Sequence, residues 1–175
     1  VTTFLDILVE IKDLIKSALP LFDEGYAYCR QDSDKGLVAT VGNDREYVGI
    51  NDTEGDYFYI RTTNISSVPT KSKTDCNVAM SGKMPCSLVA VVKEADEFKL
   101  TDAIINILLK TKVIDVRTTW IDPVAIIKEE FKGLSAEVIN SANSKIGNRT
   151  IVRIDFDLTR NFETHNCTYE ICKAC

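Results

Sequence analysis

Pro85-Cys-Ser-Leu-Val-Ala-Val-Val92, the helix pattern Leu100-Thr-Asp-Ala-Ile-Ile-Asn-Ile-Leu-Leu109, Val113-Ile-Asp-Val-Arg-Thr-Thr-Trp120 and Ile151-Val-Arg-Ile-Asp-Phe-Asp-Leu-Thr159 together decide the fold class. The first is an unbroken apolar run, as expected of a central strand covered on both faces. The second places Leu100, Ile104, Ile107 and Leu108 on one helical stripe. The third and fourth alternate with the period of two that marks a strand. In the last, Val152, Ile154, Phe156 and Leu158 are expected to point inward, with Arg153, Asp155 and Asp157 outward. Strand, helix, strand and closing strand describe an α+β domain.

Working outward, Phe4 to Ile15 carries apolar residues at helical spacing behind Thr3, a suitable N-cap, and Pro20 ends the helix. Tyr26–Cys29, Leu37–Val41, Tyr47–Ile50 and Asp56–Thr62 read as short strands separated by turn residues. Asn51-Asp-Thr-Glu-Gly55 reads as a hairpin loop. In Asp56–Thr62 the tyrosines Tyr57 and Tyr59 share one face, and Phe58 and Ile60 the other. Residues 65–74 are polar and aperiodic, which predicts a long mobile loop. Asp122-Pro123 suits a helix start, but Val124–Phe131 is read as extended. Leu134–Asn143 is a short helix candidate. The expected architecture is one α+β domain over 1–160, an antiparallel or mixed sheet packed by two main helices, and a cysteine-bearing tail over 161–175.

The 175 residues are 45% hydrophobic and 27% charged, enough for a sizeable core. A net charge of −5 with interspersed signs disfavours gripping nucleic acid, which needs a basic stripe. No apolar run reaches the roughly 20 residues that span a bilayer. Val1-Thr-Thr3 leads into a helix with no basic segment or cleavage site, so no secretory signal is expected.

His165 is the only histidine, which leaves no His-based triad in the body of the chain. Asp155 and Asp157 lie on one strand face and, with Asp115 or Glu129 and Glu130, could hold Mg²⁺ for phosphoryl transfer. The competing reading is the polar face of a half-buried strand. His165, Cys167, Cys172 and Cys175 are four candidate zinc ligands, with a half-knuckle spacing at Cys172 and Cys175. A disulfide in the tail, or free thiols, are the alternatives. Six cysteines and the sequons at Asn51, Asn64, Asn148 and Asn166 suit a secreted disulfide-bonded binding domain, whereas the size of the domain favours reduced thiols. No cofactor is implied, since Gly36, Gly42, Gly49 and Gly55 are turn glycines at uneven spacing.

The Phe4–Ile15 helix, the Leu100–Leu109 helix after the Leu88–Val92 strand, and Ile151–Leu158 together resemble the tail-terminator and neck-ring proteins of tailed bacteriophages, most of all the ring proteins of crAss-like phages. The resemblance implies a homo-oligomeric ring, sixfold or twelvefold, made in the host cytoplasm and built into the virion. Such a ring surrounds the DNA ejection channel, binds neighbouring neck or tail proteins, and carries no catalytic residues. Subunit contacts are expected from strand edges and from Tyr57, Tyr59, Pro69, Lys71, Lys73, Phe162 and Tyr169.

Overall fold

The structure is a computed structural model that describes residues 4–41, 46–50, 53–62, 66–68, 73–74, 77–111 and 114–165. Along the chain come α1 (Phe4–Ala18), β1 (Glu24–Asp32), β2 (Gly36–Val41), β3 (Glu46–Gly49) and β4 (Tyr57–Thr62). Next are β5 (Ser66–Val68), β6 (Lys73–Thr74), β7 (Asn77–Val92), α2 (Glu97–Leu108) and β8 (Ile114–Trp120). The last are α3 (Pro123–Glu130), α4 (Ala136–Ile146) and β9 (Thr150–His165). The fold is α+β: one mixed sheet in the order β3-β2-β1-β4-β7-β9-β8, with β5 and β6 also paired to β7.

Alternation along the central strands gives the sheet two apolar faces. Phe58 and Ile60 of β4, Leu88, Ala90 and Val92 of β7, and Val152, Ile154, Phe156 and Leu158 of β9 pack with α1 and α2. Tyr57, Tyr59, Val89, Val91 and Ile151 face the other way, against Ile126, Ile127 and Phe131 and against Ala142 and Ile146 of α4. The sheet is therefore a middle layer, with the two main helices α1 and α2 on one face and the shorter α3 and α4 on the other.

Local chemistry explains the helix ends. Asp96 caps α2 by accepting from the backbone N–H groups of Phe98 and Lys99 at 3.1 and 3.0 Å. Asp122 does the same for Val124 of α3, with Pro123 in the first turn. The extended reading of Val124–Phe131 is thus corrected. The cap was legible, and burial of Ile126, Ile127 and Phe131 on the sheet makes the helix worthwhile. Ser135 caps α4, the helix expected at Leu134–Asn143.

Three further expectations change. The segment after β3 is not a hairpin loop, because β3 pairs with β2 whereas β4 lies parallel to β1. The connection crosses the sheet instead and buries Ile50 against Leu37, Ala39 and Tyr57. Within the expected loop 65–74, Ser66–Val68 and Lys73–Thr74 are strands on β7, since pairing to a long neighbour needs no hydrophobic period. Finally, β9 runs on to His165, so the first residues assigned to the tail belong to the sheet.

β7 and β9 stay paired from Val92↔Thr150 to Asn77↔His165. Sixteen residues at about 3.3 Å each make this ribbon about 50 Å long. β4 flanks only its Cys86–Val91 end, and β8 only its Arg153–Leu158 end. Pro85 pairs with Asp157 of β9 on one side, and on the other it falls between the described pairs Thr62↔Cys86 and Ser66↔Lys83. No helix among the described residues is long and apolar enough to cross a membrane.

Candidate functional site

The polar residues that the fold gathers lie on the α3 face of the sheet, where β4, β7, β9 and β8 bring one row together. The register places Tyr59 beside Val89, Arg153 and Trp120, and the next row holds Arg61, Ser87 and Asp155. Glu130, at the end of α3, comes down onto this belt and is 1% exposed.

Its Oε2 accepts from Tyr59 Oη at 3.2 Å and from Arg61 Nη1 at 3.3 Å. Its Oε1 lies 3.0 Å from Arg153 Nη1, an ion contact that is not aligned as a hydrogen bond. The Glu130 carbonyl accepts from Arg61 Nη1 at 2.7 Å and from Gln31 Nε2 at 3.0 Å. Burial pushes the Glu130 carboxyl above its ordinary range, against the opposing pull of Arg61 and Arg153. Burial likewise raises the Tyr59 phenol, with Glu130 adding to the effect.

Asp155 and Asp157 do share a face, but they do not stand out in water. Asp155 accepts from Trp120 Nε1 at 2.9 Å and from Arg153 Nε at 2.7 Å, while the Arg153 guanidinium lies 5.3 Å from the Trp120 ring centre. Asp157 is 2% exposed and is gripped by Lys83 Nζ at 2.6 Å and Arg117 Nε at 3.1 Å. The β8 bulge between Val116 and Thr118 makes Arg117 the extra residue of the ladder. Both carboxylates are held by cations of the same chain, and Glu129 is exposed on α3. Among the described residues no three His, Cys, Asp or Glu side chains converge as metal ligands do.

The tyrosines expected at a subunit interface are internal. Tyr57 and Tyr59 are 0% and 2% exposed, covered by the chain's own helices and by the crossover after β3. That corrects their assignment: a phenol buried in its own core is not available to a neighbour. The backbone of Lys73 lies in β6, and those of Phe162 and His165 in the far end of β9. Pro69, Lys71, Tyr169, Cys167, Cys172 and Cys175 lie outside the described residues. Cys29 and Cys86 are free, buried thiols on opposite faces of the sheet.

Sequence reasoning missed the Arg61–Glu130–Arg153 cluster. The available signal was an acid between Ile127 and Phe131 in a segment with a good helix cap, which places Glu130 on the apolar stripe.

No known protein-family model matches the chain, and no curated protein matches it at a significant level.

Proposed function

We propose that this chain is a noncatalytic virion assembly protein, a subunit of a homo-oligomeric ring in the neck or tail of a bacteriophage. Support comes first from the resemblance carried by α1, α2 and the closing strand. The observation that carries the proposal furthest is the β7–β9 ribbon, half of which, Asn77–Lys83 paired with Thr159–His165, has among the described strands only the short β5 and β6 beside it. An arm of paired backbone that outruns β4 and β8 has the form of an element that docks on a neighbouring subunit. Asp155 and Asp157, the pair considered for phosphoryl transfer, are held by cations of the same chain, which suits a protein working through contacts.

With the tyrosines internal, ring contacts fall to the ribbon and to the outer edges of β3 and β8. Of the two, β8 is bulged and carries Asp115 and Arg117, features that discourage indiscriminate edge pairing. The acidic balance of the chain suits a channel wall past which DNA slides without sticking. Neighbouring neck or tail proteins would seat above and below the ring.

Native mass spectrometry and negative-stain imaging of the purified protein test the proposal. The expected result is a closed ring of six or twelve copies, alone or on adding other components of the particle. A chain that stays monomeric in both settings and is absent from purified particles overturns it.

A further inference from the structure

We propose that the α3–α4 layer is a proton-sensitive cover, whose docking onto the sheet places a proton on Glu130. The geometry points this way because the one carboxylate that α3 buries against the sheet is short of aligned partners, while backbone carbonyls of Glu130 and Lys132 take the bonds from Arg61 and Gln31. An ionised carboxylate offers about four acceptor sites. Glu130 receives two contacts on Oε2 at 3.2 and 3.3 Å, longer than the 2.7–2.9 Å usual for charge-assisted bonds, and no aligned bond on Oε1.

Both arginines that face it are divided. Arg61 spends its shortest bond on the Glu130 carbonyl, and Arg153, whose Nη1 lies 3.0 Å from Oε1 without the alignment of a hydrogen bond, gives its Nε–H to Asp155 at 2.7 Å. The charged and titratable groups around Glu130 are Cys29 of β1, Tyr59 and Arg61 of β4, and Arg153 with Asp155 of β9; β7 contributes the neutral Ser87. Its neighbours on α3, Lys128 and Glu129, are exposed. A buried charge with incomplete hydrogen bonding is costly, and a proton is the simplest relief.

The layer is also the part of the fold best suited to open locally. α3 is an eight-residue helix, too short to persist alone, and Val124 on it is 72% exposed. Gly133, at φ 87°, lies in the turn into α4, where an added β-carbon would meet nothing within 4 Å. When the layer lifts, Glu130 returns to water and to an ordinary carboxylate affinity for protons. Docking and proton uptake are then reciprocally linked: acid tightens the cover, and raising the pH through the docked carboxyl's range loosens it.

The test is hydrogen exchange of the full chain between pH 5 and pH 8, corrected for intrinsic rates, read at Ile126 and Phe131, whose N–H groups close α3 onto Asp122 and Ile127. α3 protection is expected to rise on acidification, by up to about tenfold per pH unit within the titration range. Protection in α1 should not follow, and Glu130→Gln should flatten the α3 response. Protection that is flat or falls in acid overturns the proposal, as does a Glu130→Gln protein that keeps the slope. Should that variant fail to fold, a carbon-13 titration of the Glu130 side-chain carboxyl in the unaltered protein decides: a midpoint at or below that of ordinary glutamate sinks the idea.

Discussion

Asp115 and Asp157 stand directly opposite each other across the β8–β9 ladder. Like charges in that position repel, and Asp157 is the buried member of the pair. Lys83 from β7 and Arg117 from the β8 bulge resolve the conflict by closing on Asp157 from two sides. Either cation alone leaves the carboxylate partly compensated. Lys83→Met or Arg117→Met should therefore each cost about 1 kcal/mol, and the double replacement about 3–5 kcal/mol, as for a buried charge stripped of its partners. Urea unfolding of the three variants measures this, and simple additivity of two small effects would contradict it.

The same logic applies to Glu130 with a sharper contrast between substitutions. Glu130→Ala takes away the buried acid to which Tyr59 and Arg61 donate and leaves the Arg61 and Arg153 guanidinium groups facing a void, which should cost about 3–5 kcal/mol. Glu130→Gln keeps the shape and an acceptor, so it should cost clearly less. The pH dependence has a definite sign. Burial holds this carboxyl above its unfolded value, so the folded chain binds the proton more tightly. Its contribution to stability is present in acid and falls as the pH rises from the unfolded pKa through the folded one. Subtracting the Glu130→Gln profile of unfolding free energy against pH from that of the parent isolates this slope. A difference that rises with pH would contradict it.

Gly25 lies opposite Phe58 in the parallel β1–β4 pairing. A β-carbon there would meet the Phe58 ring at 2.6–2.7 Å. The ring is fully buried and held edge-on by Phe22, with ring centres 4.9 Å apart, so it has nowhere to turn. Gly25→Ala should destabilise by about 1–3 kcal/mol through overpacking. Thermal unfolding checks it, and truncating Phe58 to Leu in the same chain should recover part of the loss.

Cys29 and Cys86 are both pushed up to about 12, chiefly by burial and secondarily by Glu130 and Asp157 respectively. Their reactive thiolate forms are scarce at neutral pH. In the folded protein neither should be alkylated by iodoacetamide at pH 8, and both should react once the chain is unfolded in urea. Peptide mapping by mass spectrometry separates these two positions from the other cysteines. Fast native labelling of either one would contradict its burial.

Much of the architecture was legible in the sequence because local pattern and burial agree there. The stripes of α1 and α2 and the alternation of Ile151–Leu158 each state an element and its inward face. What was not legible depends on partners distant in the chain. Nothing in Tyr26 or Tyr59 says that β1 and β4 run parallel. Nothing in Ser66–Val68 says that β7 extends far enough to pair with it. Tyr57 and Tyr59 read as a surface because the helices that cover them come more than sixty residues later. The Asp122 cap was visible, but extended and helical readings of Val124–Phe131 differ only in what the segment packs against. The Glu130 cluster was hidden for the same reason, since its arginines come from β4 and β9.

The position of β9 between β7 and β8 bears on how the chain comes to be folded at all. The strand completing the sheet's interior is the last described element, so a chain growing from the ribosome holds β7 and β8 ready with no strand between them. Until Thr150 and the residues after it emerge, the edges of β7 and β8 that β9 pairs with have no partner strand. Such an intermediate is open to strand exchange with any similar chain nearby. Insertion of β9 therefore competes with capture by a neighbour, and the speed of that step governs how much protein reaches its native state.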